Sequence, residues 1–453
     1  MSLRPGAKAK FQAWRTNAVH CKDKGNNNPN DPMASSRLLL HTKAVVLRVL
    51  MRIGMVLHGY PFPFPPRPSF RRTVPCPEPA SQSCQQLSLC FYTPRHYSSN
   101  IKSGYKYPVL VNFHGGGFVI GRATDDARWA RVVVEKAQAV VVSVDYRLAP
   151  EHPFPTAVDD GVRALNYLES HAEELGLDIS RVALSGFSAG GNLAFTVPLR
   201  RFQLLLESDT DTSSPFASQP LLPPFGLAEN ISSSSTPAVP LTSTRTHNSN
   251  YYRNYTDDED NQFTNDLLMA PNSRPNPART YSSQHLLHPT PTATFTSPSS
   301  LRIVSVISWY PIVDYVLSRS VRRDRSAQPS KTLPAFLTSL FDCSYMPNDC
   351  DRRLPHASPL LAPPSLLAAA LPRDIFLYVC EWDMLLQEGQ EFMHKLSATG
   401  KRVRSMMIEQ RCHAWDKSVN PFRNQGQTDI LYSAAAEQLW SIFERPNGLP
   451  EAN

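Results

Sequence analysis

The stretch Arg181-Val182-Ala183-Leu184-Ser185-Gly186-Phe187-Ser188-Ala189-Gly190-Gly191-Asn192 decides how the rest of the chain is read. Val182 to Leu184 is a short apolar run, as in a buried strand. Gly-x-Ser-x-Gly follows, and then residues compatible with a helix, Asn192 to Val197. Strand, sharp turn and helix in that order are the setting of a nucleophile elbow. Such a turn holds its serine in a strained backbone conformation. Glycines two residues to either side leave room for strand and helix to approach closely. The Ser188 hydroxyl would then stand at the sheet edge above a helix N-terminus, whose free amides favour a developing negative charge.

Working outward, the flanking sequence alternates between strand-like and helix-like segments. Val109 to Phe113 and Val140 to Val144 are continuous β-branched and apolar runs of the kind covered on both faces. Ala127 to Ala139 and Ala157 to Leu175 read as helices. Ile303 to Trp309, Ile375 to Val379 and Val403 to Ile408 read as further strands, with a helix at Gln387 to Ala398. Leu87 to Tyr92 alternates like an edge strand. The pattern predicts an α/β fold, with a mostly parallel central sheet and helices on both faces.

Acyl transfer through a serine requires a base, a carboxylate to orient it, and donors for the oxyanion. His114-Gly115-Gly116-Gly117-Phe118 follows directly on the strand ending at Phe113. Its glycines allow backbone N–H groups to turn inward, so Gly115 and Gly116, with the amide of Ala189, are the expected oxyanion donors. Of thirteen histidines, His413 lies just beyond strand Val403–Ile408, where a loop can return over the sheet edge. His394, inside a helix, and His356, in a Pro-rich stretch, are expected at the surface. Asp383 follows strand Ile375–Val379 and is the candidate acid, with Glu381 and Glu388 as competitors. Ser188, Asp383, His413 is the chain order of an α/β-hydrolase triad.

On these motifs the chain resembles the hormone-sensitive-lipase-like family of α/β-hydrolases. The match rests on His114–Phe118, on Asp145-Tyr146-Arg147-Leu148-Ala149-Pro150-Glu151-His152-Pro153-Phe154-Pro155, on Gly186–Asn192, on Ser358-Pro359-Leu360-Leu361, and on Asp383 and His413. The resemblance implies a small-molecule carboxylic ester substrate of short or medium acyl chain, no cofactor, no metal, and an N-terminal helical cap over the site. Two positions depart from the pattern. Phe187 stands where the elbow usually carries aspartate, and Ala414 follows His413 where glycine is common. The first should alter packing or selectivity and the second should be tolerated. Phe118, Phe187, Trp309 and Tyr310 are candidates for an aromatic substrate lining. The alternatives are a non-catalytic small-molecule binding protein on the same fold, and a membrane-surface lipase.

Charge is unevenly distributed. Residues 1–72 hold thirteen Lys/Arg and two Asp/Glu, so that segment carries +11 and the remainder −4. The basic excess therefore belongs to the N-terminal extension, and nothing in the body reads as a nucleic-acid surface. Residues 1–35 are polar and basic and are expected to be disordered. Leu38 to Leu57 reads as an amphipathic helix. Arg37, His41, Arg48 and Arg52 fall within roughly 60° of one another on a helical wheel, and Val45, Val49 and Met55 are assigned to the other face. Its internal charges argue against a membrane span. The cap reading is favoured for 36–70, with peripheral membrane contact through 37–57 as the alternative.

The catalytic domain is expected over 71–206 and 300–446. The Ser-, Thr-, Pro- and Asn-rich 207–299 is read as a disordered insertion. Eight scattered cysteines suggest neither a disulfide framework nor a metal site. Met1 to Asp31 lacks an apolar signal core, so a cytoplasmic location is expected. Oligomeric state is not legible.

Overall fold

A computed structural model describes residues 36–75, 85–211 and 301–445. All of these belong to one unit, formed by residues 1–214 and 296–453. The expectations for 1–35 and for 212–299 fall outside the described residues. Within them, residues 207–211 continue a helix rather than begin an insertion.

Eight strands form one sheet: β1 (Phe70–Val74), β2 (Leu87–Tyr92), β3 (Tyr107–Phe113), β4 (Val140–Asp145), β5 (Leu177–Phe187), β6 (Ile303–Trp309), β7 (Asp374–Cys380) and β8 (Arg402–Ile408). Their order is β1-β2-β4-β3-β5-β6-β7-β8. Strand β2 pairs antiparallel with β1 and β4, and the pairs from β4 to β8 are all parallel. Strand β2 is therefore interior. Its expected edge place is taken by β1, the sequence Phe-Arg-Arg-Thr-Val, which spans the expected boundary between 36–70 and 71–206 and which no sequence pattern marks as a strand.

Side chains alternate across each strand, and the two sheet faces collect different helices. The main helices are α1 (Ser36–Gly59), α2 (Ala127–Ala137), α3 (Thr156–Ser170), α4 (Ala189–Asp211), α5 (Ala335–Tyr345), α6 (Leu386–Ala398) and α7 (Gln425–Phe443). Val109, Val111, Phe113 and Leu184 pack on one face with Leu165 of α3, Leu193 of α4 and Phe392 of α6. Leu110, Val141, Ala183 and Trp309 pack on the other with Trp129 of α2 and Leu439 of α7. Continuous apolar strands are thus explained by burial on both sides.

Helix α1 lies with Arg48 turned inward, while Arg37, His41 and Arg52 are exposed. Arg48 donates to the carbonyls of Val119 and Ala149, at 2.8 Å each, and grips both oxygens of Glu151 at 2.7 Å. Ala44 and His58 are buried. Met55, assigned to the opposite face from Arg48, in fact shares the inner side with it. The two, with Met51, Gly121, Asp145 and Tyr146, line a cavity of about 170 Å3 under the helix. Cys90, Cys343, Cys380 and Cys412 are free thiols, whereas Cys350 is disulfide-bonded, a bond the cysteine spacing did not suggest.

Candidate active site

Each parallel strand delivers its following loop to the same sheet edge. Ser188 follows β5, the glycine loop follows β3, Asp383 follows β7 and His413 follows β8. Ser188 sits at φ 54°, a left-handed conformation for a non-glycine residue that costs on the order of 1–2 kcal/mol. The surroundings enforce it. Its amide donates to the Trp309 carbonyl at 2.9 Å, while the first turn of α4 begins at the next residue. A Cβ on Gly186 would lie 2.1 Å from the Gly190 carbonyl oxygen, and one on Gly190 only 1.9 Å from that of Phe113. Backbone touches backbone at both glycines, so strand, turn and helix cross as closely as the motif spacing implied.

His413 is 8% and Asp383 2% exposed. His413 Nδ1 lies 2.6 Å from Asp383 Oδ2 and Nε2 lies 2.8 Å from Ser188 Oγ. A carboxylate accepts only, so Nδ1 carries the proton and donates to Asp383; Nε2 then accepts from the serine hydroxyl. Asp383 Oδ1 accepts from the Leu385 amide at 3.0 Å, which fixes the carboxylate plane. The competitors go elsewhere. Glu388 is buried against Arg322, and its Oε1 accepts from the Val313 amide; Glu381 accepts from the Gln410 amide. His394 is exposed as expected. His356 is not: it is buried and stacks on Phe154 at 5.2 Å, because its neighbours Ala357, Leu360 and Ala362 are part of the core.

The glycine loop is oriented through its carbonyls. The His114 oxygen accepts from Tyr146 Oη at 2.8 Å, the Gly115 oxygen faces His114 Nδ1 at 2.8 Å, and the Gly116 oxygen accepts from the amides of Val119 and Ile120. In a trans peptide the N–H points opposite to the C=O. The amides of Gly115, Gly116 and Gly117 are therefore turned away from the side that holds the carbonyls. Gly116 needs its φ of 117°, and a Cβ there would meet the Ile120 carbonyl oxygen at 2.2 Å. The loop also packs directly on the elbow, since a Cβ on Gly115 would be 3.0 Å from the Phe187 carbonyl oxygen.

The segment Asp145–Pro155, noted earlier only as a resemblance, is what clamps this loop. Asp145 accepts from the Ala123 amide, the Ala149 amide donates to the Phe118 carbonyl, and the Tyr146 ring stacks on His114 at 4.1 Å. Arg147 in turn is held by Asp160, which is fully buried.

Phe118, Phe187, Trp309 and Tyr310 are all 2% exposed or less. Phe118 stacks on Tyr345 at 3.7 Å, Phe187 on Trp309 at 5.7 Å, and the Tyr310 ring edges His413 at 4.9 Å. They support the elbow and the histidine from behind, and none lines the cavity under α1.

A buried ionic cluster beside them went unread in the sequence. Lys417 Nζ lies 2.8 Å from Asp126 and 3.2 Å from Asp416, and 3.9 Å above the Phe187 ring. Asp126 also accepts from Asn112, and Asp416 from the hydroxyls of Tyr310 and Tyr432. Burial alone would lower the Lys417 pKa, but the two carboxylates outweigh it and raise it. Burial would raise Asp416, and Lys417 with the two hydroxyls brings it below the usual range. The only sequence signal was an Asp-Lys pair three residues past His413.

Residues 110–283 and 286–417 match the family model described as alpha/beta hydrolase fold. Among curated proteins, the chain is 52% identical over 87 residues to "Carboxylesterase NlhH" of Mycobacterium tuberculosis, covering 19% of this chain and 27% of that protein. It is 36% identical over 114 residues to "Arylesterase" of Saccharolobus solfataricus, covering 25% and 35%. The chain thus spans about a quarter to a third of the length of the curated relatives it matches. Among solved structures, it overlays on the carboxylesterase EstE1 from a metagenomic library with TM-score 0.55 and 22% identity, over 89% of this chain and 98% of that one. It overlays on a thermostable esterase from Pseudomonas putida ECU1011 with TM-score 0.58 and 19% identity, over 96% and 98%. At those identities the likeness is one of fold.

Proposed function

The chain belongs to the alpha/beta hydrolase fold family, and on that premise we propose that it is a serine carboxylesterase acting on small carboxylic esters. The observation that carries this is the unbroken relay from Ser188 Oγ through His413 to Asp383, at 2.8 and 2.6 Å. His413 Nε2 takes the Ser188 proton as Oγ attacks the ester carbonyl. Asp383 stabilises the imidazolium that forms. The amides of Gly115, Gly116 and Ala189 donate to the oxyanion, each donor being worth about 10²–10³ in rate. The imidazolium then protonates the leaving alcohol. Water, activated by the same nitrogen, releases the acid from the acyl-serine. Short or medium acyl chains are the substrates expected from the family resemblance, and no cofactor takes part in these steps.

The arrangement disfavours a purely binding role, because a receptor needs no base at hydrogen-bond distance from its serine. A fluorophosphonate probe tests the reading. Wild-type protein should be labelled on Ser188 and the folded Ser188→Ala variant should not. Folded wild-type protein that resists the probe and turns over no p-nitrophenyl ester would refute it.

A further inference from the structure

Helix α1 is apolar on two faces, and only one is used. Leu40, Ala44, Leu47, Met51 and Met55 face the body with Arg48 and His58. On the other side Leu38, Val46, Val49, Leu50, Ile53 and Val56 are exposed, Leu38 by 76%, Ile53 by 57% and Val56 by 74%. At 100° per residue these fall in one outward stripe, running the length of a helix of roughly 36 Å. Isolated exposed aliphatics are ordinary, but a continuous apolar strip of this size is a contact surface. The helix cannot roll to hide it, since Arg48 is fastened to Val119, Ala149 and Glu151 on the inner side.

We propose that this outward stripe of α1 docks on an anionic lipid surface, with the helix lying in the plane of the interface. Charge selects that occupant. Lys43 and Arg52 flank the stripe on its two sides, and α1 contains no Asp or Glu. Residues 1–72 together carry +11. A helix with an apolar face rimmed by basic side chains binds at the headgroup boundary, strengthened by anionic lipid. Beyond the helix, Tyr60, Phe62 and Phe64 are exposed by 66%, 81% and 65%, the aromatic type that favours the interface. No helix among the described residues is long and apolar enough to cross a membrane, so the contact is a surface one. It stands independently of the esterase reading.

The test uses the full chain and vesicles of phosphatidylcholine, with and without phosphatidylserine, read by co-sedimentation. Binding to the serine-lipid vesicles is expected, weakened by salt and by omission of the anionic lipid. The combined Val49→Glu, Ile53→Glu, Val56→Glu variant should bind at least about tenfold less. These three side chains touch solvent, and circular dichroism and light scattering report whether the variant keeps its fold and mass. Wild-type protein that stays with neither vesicle overturns the proposal. So does equal binding by the folded variant. A dimer that the three substitutions split, without vesicle binding, would assign the stripe to a second copy of the chain and also overturn it. Partition is read without turnover, so failure of ester hydrolysis leaves this result interpretable.

Discussion

Asp383→Asn isolates the role of one proton. Asp383 Oδ1 accepts from the Leu385 amide at 3.0 Å and Oδ2 faces His413 Nδ1 at 2.6 Å, in a site where the side chain is 2% exposed. An asparagine must give its oxygen to one neighbour and its NH2 to the other. Placing the NH2 against the Leu385 N–H would leave two buried donors facing each other, costing about 1–3 kcal/mol for each orphaned group. The oxygen therefore stays on Leu385, and the NH2 faces His413. Nδ1 must then accept, which moves the imidazole proton to Nε2, where it faces Ser188 Oγ and can no longer receive its proton. The shape is unchanged and the tautomer is wrong. An equivalent exchange in a serine protease lowers kcat by about 10⁴, or roughly 5.5 kcal/mol of transition-state stabilisation. Hydrolysis of p-nitrophenyl butyrate, followed beside a thermal melt, measures it. A variant with unaltered melting and less than about a tenfold loss of kcat would show that Asp383 does not set the tautomer.

Three further outcomes follow from the packing. Gly190→Ala would place a methyl 1.9 Å from the Phe113 carbonyl oxygen and 2.6 Å from that of His114, backbone that cannot yield; we expect a loss of at least about 3 kcal/mol in urea unfolding, and a wild-type midpoint would refute it. Lys417→Met strands the buried Asp126 and Asp416 carboxylates and should destabilise by about 3–5 kcal/mol at neutral pH, so an equally stable variant would show the cluster is not ionised. His58 is driven down to about 3 by burial, with the Lys417 and Arg423 charges adding to it. Between that value and the unfolded pKa near 6.5 the unfolded chain binds the extra proton, so this histidine's contribution is present above pH 6.5 and lost as pH falls. The wild type should lose up to about 1.4 kcal/mol per pH unit more than His58→Gln in that window; parallel urea profiles would refute the assignment.

What could be read from the sequence was local. The elbow is a contiguous motif in which Gly186 answers a contact with Gly190, although Gly190 itself meets Phe113 of β3, and the glycine loop is likewise continuous with its strand. His413 and Asp383 could be singled out as candidates because a parallel sheet sends every loop after a strand to one edge. The features that escaped depend on partners far apart in the chain. Strand β1 carries Arg71 and Arg72 on an exposed rim and has only Phe70, Thr73 and Val74 to mark it, too short a pattern to stand out as a strand. The ionic cluster joins Asn112, Asp126, Asp416 and Lys417 from three segments. For α1, periodicity separates two faces without saying which is inside. An arginine turns inward there because two backbone carbonyls and Glu151 await it, and a carboxylate with two carbonyls can satisfy a guanidinium that water would otherwise hold.

Phe187 gains a physical account from the same cluster. An aspartate at that position would point its carboxylate toward Lys417 Nζ, which sits 3.9 Å from the centre of the present ring. That ammonium already faces two carboxylates, Asp126 and Asp416, so a third acid would take the formal charge of a buried site from −1 to −2. A phenyl face attracts the ammonium through its quadrupole and adds no charge. It also stacks on Trp309, whose carbonyl holds the Ser188 amide. The cluster thereby joins the two loops that must meet. Lys417 and Asp416 lie on the loop of His413, where Ala414 is held left-handed at φ 57°, and Phe187 and Tyr310 flank the serine turn. The Tyr310 hydroxyl donating to Asp416 and the Lys417 ammonium over the Phe187 ring tie one loop to the other and hold imidazole and hydroxyl at 2.8 Å even though both loops carry strained residues. On this account a phenylalanine in the elbow fits the charge of the cluster beside it and leaves the Ser188–His413–Asp383 relay in place.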